Sequence, residues 1–192
     1  PNGDTRIEEL EAAGGTRAVL KRLEHLVHLD ALTVTGRSWG DELARCGDVG
    51  AVVRTTADPI SRKPSVIVMR GNLAPDGALL KIGDASARQS VFRGKALVFG
   101  SQDDALAALR DGSLVPGSVA VLAGMGCRGG PGMALASGFV AAVDGAGLSA
   151  TVAVVTDGQL SGLNRGIAIG QVSPEAAMGG PLGWVEDGDT VE

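Results

Sequence analysis

The sequence predicts a mixed α/β fold in which a closed or strongly curved sheet carries a few packed helices. Short runs rich in Val, Ile and Leu recur along the chain, each bounded by Gly, Pro, Asn or Asp, and this pattern is typical of strands that end in tight turns. A few segments instead repeat apolar residues at helical spacing. With 30 glycines and 44% hydrophobic residues, the chain has enough apolar content for one substantial core with many close backbone approaches.

Four helices are predicted, two before residue 30 and two between later strands. From Arg6 to Leu29 apolar residues recur at helical spacing around the break at Gly14-Gly15, so two short helices are predicted, with Thr16 as the cap of the second. Further helices are predicted from Asp103 to Arg110 and from Met133 to Val143. The predicted strands are the apolar runs 31–35, 65–69, 78–82, 96–99, 119–122, 151–156 and 166–171.

Charge and composition exclude several classes of protein. The net charge is −5 without a basic block, so neither a nucleic acid nor an anionic membrane surface is an expected partner. No apolar run approaches the roughly 20 residues of a membrane helix, and the first residues lack a signal-peptide pattern. A cytoplasmic location is therefore expected. The chain begins with Pro1, which we interpret as a sign of processing or of a longer parent chain.

Cysteine and histidine are too scarce for a metal centre within this chain. Cys46 and Cys127 lie far apart and form no CxxC or Cys/His pattern, so two free thiols are predicted. His25 and His28 fall in one helical stretch, where a surface or helix-end role is expected.

Two glycine-rich segments join predicted elements and offer free backbone N–H groups. The first, Arg70 to Gly77, contains Asn72 and connects two apolar strands; it is either a generic turn or part of a binding loop. The second, Gly124 to Met133, contains GxGxxG and runs from a strand into a helix. A lone GxGxxG is weak evidence, and no acidic residue ends a strand about 20 positions later, so a dinucleotide site is not favoured.

A third segment delivers a serine into a tight turn at the end of an apolar strand. It runs from Val154 to Gly162 and carries Ser161. Gln159 stands where the GxSxG nucleophile elbow needs glycine, and no histidine follows in the chain, so a serine hydrolase is excluded. If Ser161 is chemically active, another group must lower its pKa, and a metal ion is the usual means.

Five segments in register over about 140 residues resemble the family of dihydroxy-acid dehydratase and 6-phosphogluconate dehydratase, which includes aldonic-acid dehydratases. They are 33–38 (TVTGRS), 70–77 (RGNLAPDG), 129–133 (GGPGM), 156–162 (TDGQLSG) and 172–177 (VSPEAA). The resemblance implies a β-barrel-like swivelling domain, similar to the mobile domain of aconitase-type enzymes. It also implies that residues 1–30 are a helical lead-in from an N-terminal domain outside this chain, and that residues 31–192 form the C-terminal dehydratase domain.

The resemblance further implies a function and its cofactors. The expected reaction is the dehydration of a 2,3-dihydroxy acid or sugar acid to a 2-keto acid, with Ser161 as the base that removes the C2 proton. An iron–sulfur cluster and magnesium are expected in the whole enzyme, with most ligands in the N-terminal domain and none predicted for this chain alone. The expected partners are that N-terminal domain, a small hydroxy acid and, as a whole protein, a second copy in a homodimer or higher oligomer. The residues predicted to bind substrate or to shape the active-site loops are Asn72, Gly130, Gly132, Asp157, Gly158, Gly162 and Asn164.

The sequence departs from the family pattern at several of these places. Leu135 stands where most members have a magnesium-binding glutamate, and leucine offers no oxygen ligand. The usual Glu-Gly-Pro-Lys is Met125 to Arg128, the usual histidine before Val-Ser-Pro-Glu is Gln171, and Asn164 replaces a common threonine. Two interpretations therefore stay open: the catalytic domain of a hydro-lyase, inactive in isolation, or a non-catalytic relative that keeps the fold as a binding or assembly module.

Overall fold

A computed structural model describes residues 5–47, 49–62, 64–81, 91–130, 132, 136–161 and 164–192. The chain forms two compact units, residues 1–63 and 64–192. The sequence-based division into 1–30 and 31–192 concerns where the family's two domains meet, and that division stays a prediction.

The first unit is helical. It contains α1 (Ile7–Ala12), α2 (Gly15–Arg22), a 3-10 turn (Glu24–Leu26) and α3 (Trp39–Ala44). The two short helices predicted before residue 30 are confirmed, but the cap of α2 is wrong. Gly14, not Thr16, occupies the N-cap position with a left-handed φ of 103°, a conformation that glycine adopts without steric cost.

The predicted strand at 31–35 is also wrong. Leu32 forms only an isolated bridge with Ser38, and the chain between them is a tight turn with Gly36 at φ 76°. The buried carboxylate of Glu42 accepts hydrogen bonds from Thr35 Oγ1 and Arg37 Nε and stabilises this turn. The β-branched residues of this segment, which favour a strand, are therefore part of a hydrogen-bonded turn instead.

The second unit is a mixed sheet curled into a half-barrel. Its strands are β1 (Val66–Gly71), β2 (Ala74–Lys81), β3 (Gly94–Phe99), β4 (Ser118–Leu122), β5 (Ala153–Thr156), β6 (Ile167–Ser173) and β7 (Thr190–Val191). The strand order is β1-β2-β6-β5-β4-β3-β7, and the four strands β3 to β6 are parallel to one another. The predicted fold class is confirmed, and so are the six strands predicted after residue 64, although Ile82, the predicted end of the second, lies outside the described residues. β7 was not predicted.

Helices α4 (Gln102–Arg110) and α5 (Ser137–Gly145) connect β3 to β4 and β4 to β5. Their apolar residues pack on one face of the sheet, around Leu122, Val154 and the buried Phe139. On the other face Val121 and Val155 pack with Leu182, which belongs to a 3-10 turn (Pro181–Trp184) near a second one (Ala176–Met178). Because β4 is buried on both faces, the loops that follow the central strands start from a rigid base.

The helix predicted from Met133 is observed as α5, which begins at Ser137; residues 133–135 lie outside the described residues. The predicted α4 is confirmed and carries a Ser101 cap, whose Oγ accepts the Asp104 N–H at 3.1 Å. Such a cap satisfies one of the free N–H groups in the first turn.

Candidate active site

The loops singled out in the sequence lie at one edge of the sheet. Strands β4, β5 and β6 are parallel, so the loops that follow their carboxyl ends share that edge. β2 runs antiparallel to β6, with Gly77 opposite Ser173. The start of β2, and with it the β1–β2 turn that contains Asn72, therefore lies at the same edge. Loops at the carboxyl edge of parallel strands are where binding sites are usually built.

Asp157 connects the loops that follow β4, β5 and β6. Its carboxylate accepts three backbone N–H groups, from Gly124 at 3.0 Å, Met125 at 2.7 Å and Ala176 at 2.9 Å. The residue is only 4% exposed, so these hydrogen bonds are made away from solvent, where a charged acceptor binds its donors strongly. Asp157 was predicted as a residue of the active-site loops, and the structure gives it the geometry of a clamp between them.

The glycine-rich loop after β4 folds back on itself and contacts the serine loop. Gly130 N–H donates to the carbonyl of Gly126 at 2.7 Å, and Gln159 N–H donates to the carbonyl of Gly132 at 3.0 Å. A Cβ on Gly158 would lie 2.8 Å from the Cβ of Met125. The glycine at that position therefore permits a backbone approach that a larger residue would prevent.

Ser161 lies exposed on the loop after β5. Its peptide N–H donates to Ser137 Oγ at 2.9 Å, and Lys81 Nζ donates to the carbonyl of the preceding Leu160 at 2.7 Å. These contacts reach from α5 and from β2, so elements on two sides hold the backbone of the serine loop.

Two further polar groups meet beside the glycine-rich loop. Glu175 accepts hydrogen bonds from Arg128 N–H at 2.8 Å and from Cys127 Sγ at 3.1 Å. The Arg128 N–H, followed by the Cys127 thiol, lowers the pKa of Glu175 below its usual value. The same carboxylate, by hydrogen bond and by charge, raises the pKa of the Cys127 thiol. Cys127 is therefore a protonated donor near neutral pH, and a poor nucleophile.

The structure gives fewer contacts for the remaining predicted site residues. Asn72 is exposed in the β1–β2 turn, and Asn164 is buried, with its N–H 3.5 Å from the Ser161 carbonyl oxygen. Gly162 and Leu135 lie outside the described residues. Sequence reasoning missed Ser137 and Lys81 as partners of the serine loop, because neither stands in a motif and both are far from Ser161 in sequence.

The part of the chain that the structure describes holds no group of three or more His, Cys, Asp or Glu side chains that could bind a metal ion. The Asp157 carboxylate is taken up by backbone N–H groups, and the Cys127 thiol is paired with Glu175. These residues alone do not fit an iron–sulfur cluster or a magnesium ion. No helix among the described residues is long and apolar enough to cross a membrane.

Two models of one protein family together match most of this chain. Residues 51–192 match the model of the dihydroxy-acid/6-phosphogluconate dehydratase C-terminal domain, and residues 1–42 match that of the N-terminal domain of the same family. The chain is similar over its full length to the dihydroxy-acid dehydratases of Desulfosudis oleivorans (45% identical), of Aquifex aeolicus (39%) and to dihydroxy-acid dehydratase 1 of Methanosarcina acetivorans (39%). It spans about 35% of the length of these relatives.

The second unit is therefore a curled mixed sheet whose strand-end loops are joined at Asp157 and whose serine loop leaves Ser161 exposed. The chain belongs to the dihydroxy-acid/6-phosphogluconate dehydratase family.

Proposed function

We propose that this chain is the C-terminal part of a hydro-lyase that dehydrates a 2,3-dihydroxy acid or a sugar acid to a 2-keto acid, with Ser161 as the base. The observation that carries the proposal is the setting of Ser161: an exposed side chain on a loop whose backbone is held from α5 and β2. A catalytic base needs this combination of access and fixed position. The relatives' name, dihydroxy-acid dehydratase, supports the substrate class.

The proposed reaction removes one molecule of water. The base takes the proton from C2, and the C–H electron pair forms the C2–C3 double bond while the C3 hydroxyl leaves as hydroxide with its bonding pair. The hydroxide gains the proton that was taken from C2, so one water is released and the base is regenerated. The product is an enol, and its tautomerisation gives the 2-keto acid. Negative charge develops on the carboxylate side of the substrate during proton removal, so the reaction requires electrostatic stabilisation there.

The N-terminal end of α5 lies beside the peptide of Ser161. Ser137, the first residue of that nine-residue helix, contacts the Ser161 peptide. The partial positive charge at a helix N-terminus stabilises nearby negative charge by about 0.3–1 kcal/mol. This effect alone is small against the pKa of a hydroxyl, so a stronger group from outside the described residues is required.

The cofactors and partners follow from the family. We propose that the iron–sulfur cluster and magnesium expected in the whole enzyme take their ligands from the N-terminal dehydratase domain, since the described residues offer no ligand set. The same proposal includes a small hydroxy-acid substrate, a homodimer or higher oligomer of the whole protein, and a cytoplasmic location.

A non-catalytic relative is the alternative, and one structural observation favours it. Met125, which stands where the family usually has glutamate, is 5% exposed and packs in the apolar cluster beneath α5. Together with Leu135 in the place of the magnesium-binding glutamate, it removes two carboxylates from the expected site. A chain with these changes is active only if other oxygen ligands compensate.

The test is a keto-acid assay with the whole protein that contains this chain, prepared without oxygen and supplied with iron, sulfide and magnesium. Wild type, Ser161→Ala and the matched control Ser113→Ala, at a residue between α4 and β4, are compared on a panel of 2,3-dihydroxy acids and aldonic acids. The proposal expects turnover by wild type and the control, and loss of at least ~100-fold in Ser161→Ala. Absence of turnover in the wild type on every acid would favour the non-catalytic alternative.

A further inference from the structure

We infer that Ser137 is a positioning residue for Ser161, and this inference rests on the proposed function of Ser161 as the base. Ser137 Oγ accepts the Ser161 peptide N–H at 2.9 Å. This N–H belongs to the Leu160–Ser161 peptide, whose carbonyl accepts from Lys81 Nζ, so the Ser137 contact holds the second polar group of the peptide plane that carries the Ser161 Cα. Neither the sequence motifs nor the family comparisons assign a role to Ser137.

Ser137 is carried by a rigid element. It is the first residue of α5, whose Phe139, Val140 and Val143 are buried against the sheet. The N–H of Phe139 donates to Gln102 Oε1 at 3.1 Å, so the first turn of α5 is also attached to the start of α4. A hydroxyl at this position therefore has little freedom to move with the serine loop.

The preceding loop residues are held by other elements. Gln159 N–H donates to the Gly132 carbonyl, and the Leu160 carbonyl accepts from Lys81 Nζ. The first contact acts on the Gly158–Gln159 peptide. The second acts on the Leu160–Ser161 peptide, whose N–H donates to Ser137, so Lys81 and Ser137 hold opposite sides of one peptide plane. Loss of the Ser137 contact removes the hydrogen bond on the N–H side of this plane and widens the range of orientations open to Ser161.

The length of the Ser137 side chain suits this role. Its hydroxyl lies one bond from Cβ, so few rotamers separate the helix backbone from the accepting oxygen, and the hydrogen bond is made at low entropic cost. Threonine carries the same oxygen on the same carbon, whereas alanine has none. These two replacements therefore separate the hydrogen bond from the volume of the side chain.

The test compares Ser137→Ala and Ser137→Thr in the whole protein. Ser113→Ala is the matched control. Ser113 Oγ donates to Asp111, and both residues lie between α4 and β4, at the opposite edge of the sheet from Ser161. A misplacement of a catalytic group by about 1 Å costs up to ~100-fold in rate. We expect kcat to fall ~10- to 100-fold in Ser137→Ala with KM within ~2-fold of wild type, and to recover in Ser137→Thr. Ser113→Ala should keep the wild-type kcat.

Hydrogen exchange at the Ser161 amide, measured on the same proteins, gives a readout that does not need turnover. The inference expects faster exchange of this amide in Ser137→Ala than in wild type, Ser137→Thr or Ser113→Ala. Unchanged exchange in Ser137→Ala would overturn it, as would a kcat equal to that of wild type. If wild type has no activity on any acid, the proposed function fails, while the exchange result still decides whether Ser137 holds the Ser161 peptide.

Discussion

Replacing Asp157 with asparagine should destabilise the second unit more than any other single exchange of a carboxylate for an amide in it. Oδ2 of Asp157 accepts from Gly124 and Ala176, and Oδ1 accepts from Met125 at 2.7 Å. In its better orientation, asparagine keeps its oxygen toward the first two donors and points its NH2 group at the Met125 N–H. One charge-assisted hydrogen bond is then lost and two donors face each other in a site that is 4% exposed.

The size of this effect follows from its two components. Loss of a hydrogen bond to a charged group costs about 1.5–3 kcal/mol, and a buried unsatisfied donor costs about 1–3 kcal/mol. A total of about 2.5–6 kcal/mol is expected. Since each kcal/mol lowers the melting temperature of a domain of this size by about 2–4 °C, the midpoint of Asp157→Asn should fall by roughly 5–24 °C.

Urea unfolding of the 192-residue chain measures this directly, with the exposed Asp76→Asn as the matched exchange. Asp76→Asn should change the free energy of unfolding by no more than about 0.5 kcal/mol. Hydrogen exchange should also accelerate at the Met125 amide in Asp157→Asn. If the two variants unfold at the same urea concentration and the Met125 amide stays protected, the role of Asp157 as a clamp is refuted.

Three further predictions concern Glu175, Cys127 and Gly166. The pKa of Glu175 is lowered in the folded protein, so its contribution to stability is present above the unfolded value of 4.5 and is lost as pH falls through the folded pKa. Urea unfolding of Glu175→Gln between pH 3 and 7 should therefore show a smaller loss of stability toward acid than wild type. Parallel plots of unfolding free energy against pH for the two proteins would contradict this. The same variant removes the carboxylate that raises the pKa of Cys127, so alkylation of this thiol by iodoacetamide at pH 8 should become faster, and an unchanged rate would count against the contact. Gly166 has φ 81°, and a Cβ there would overlap the carbonyl oxygen of Ser149. Gly166→Ala should therefore lower the free energy of unfolding by at least about 2 kcal/mol. Gly100→Ala is the control, because a Cβ at that position would meet open space, and it should leave the free energy of unfolding nearly unchanged.

Local sequence patterns predicted most of the elements in the second unit. Apolar runs bounded by Gly, Pro, Asn or Asp located the strands, and the Asp103 to Arg110 segment showed the features of a short helix, which begins one residue earlier, at Gln102. The same reasoning failed at 31–35, because β-branched residues that favour a strand also occur in turns when a side chain such as Glu42 supplies the hydrogen bonds.

The partners within the site could not be predicted, because they depend on the order of strands in the sheet. Asp157 meets Met125 across 32 residues of sequence, and Lys81 meets Leu160 across 79. Both contacts arise because β2, β6, β5 and β4 are neighbours in the sheet, an order that no local pattern encodes. Ser161 was found from its motif, whereas Ser137 became visible only when α5 was placed beside the serine loop.

An isotope measurement on the whole protein shows whether Ser161 removes the C2 proton. Substrate deuterated at C2 is compared with unlabelled substrate in wild type and in Ser161→Ala, with keto acid measured as product. If Ser161 is the base, wild type should turn over the deuterated acid more slowly, and Ser161→Ala should give neither keto acid nor release of deuterium from C2. Release of C2 deuterium at the wild-type rate by Ser161→Ala would contradict it, because another group would then be the base.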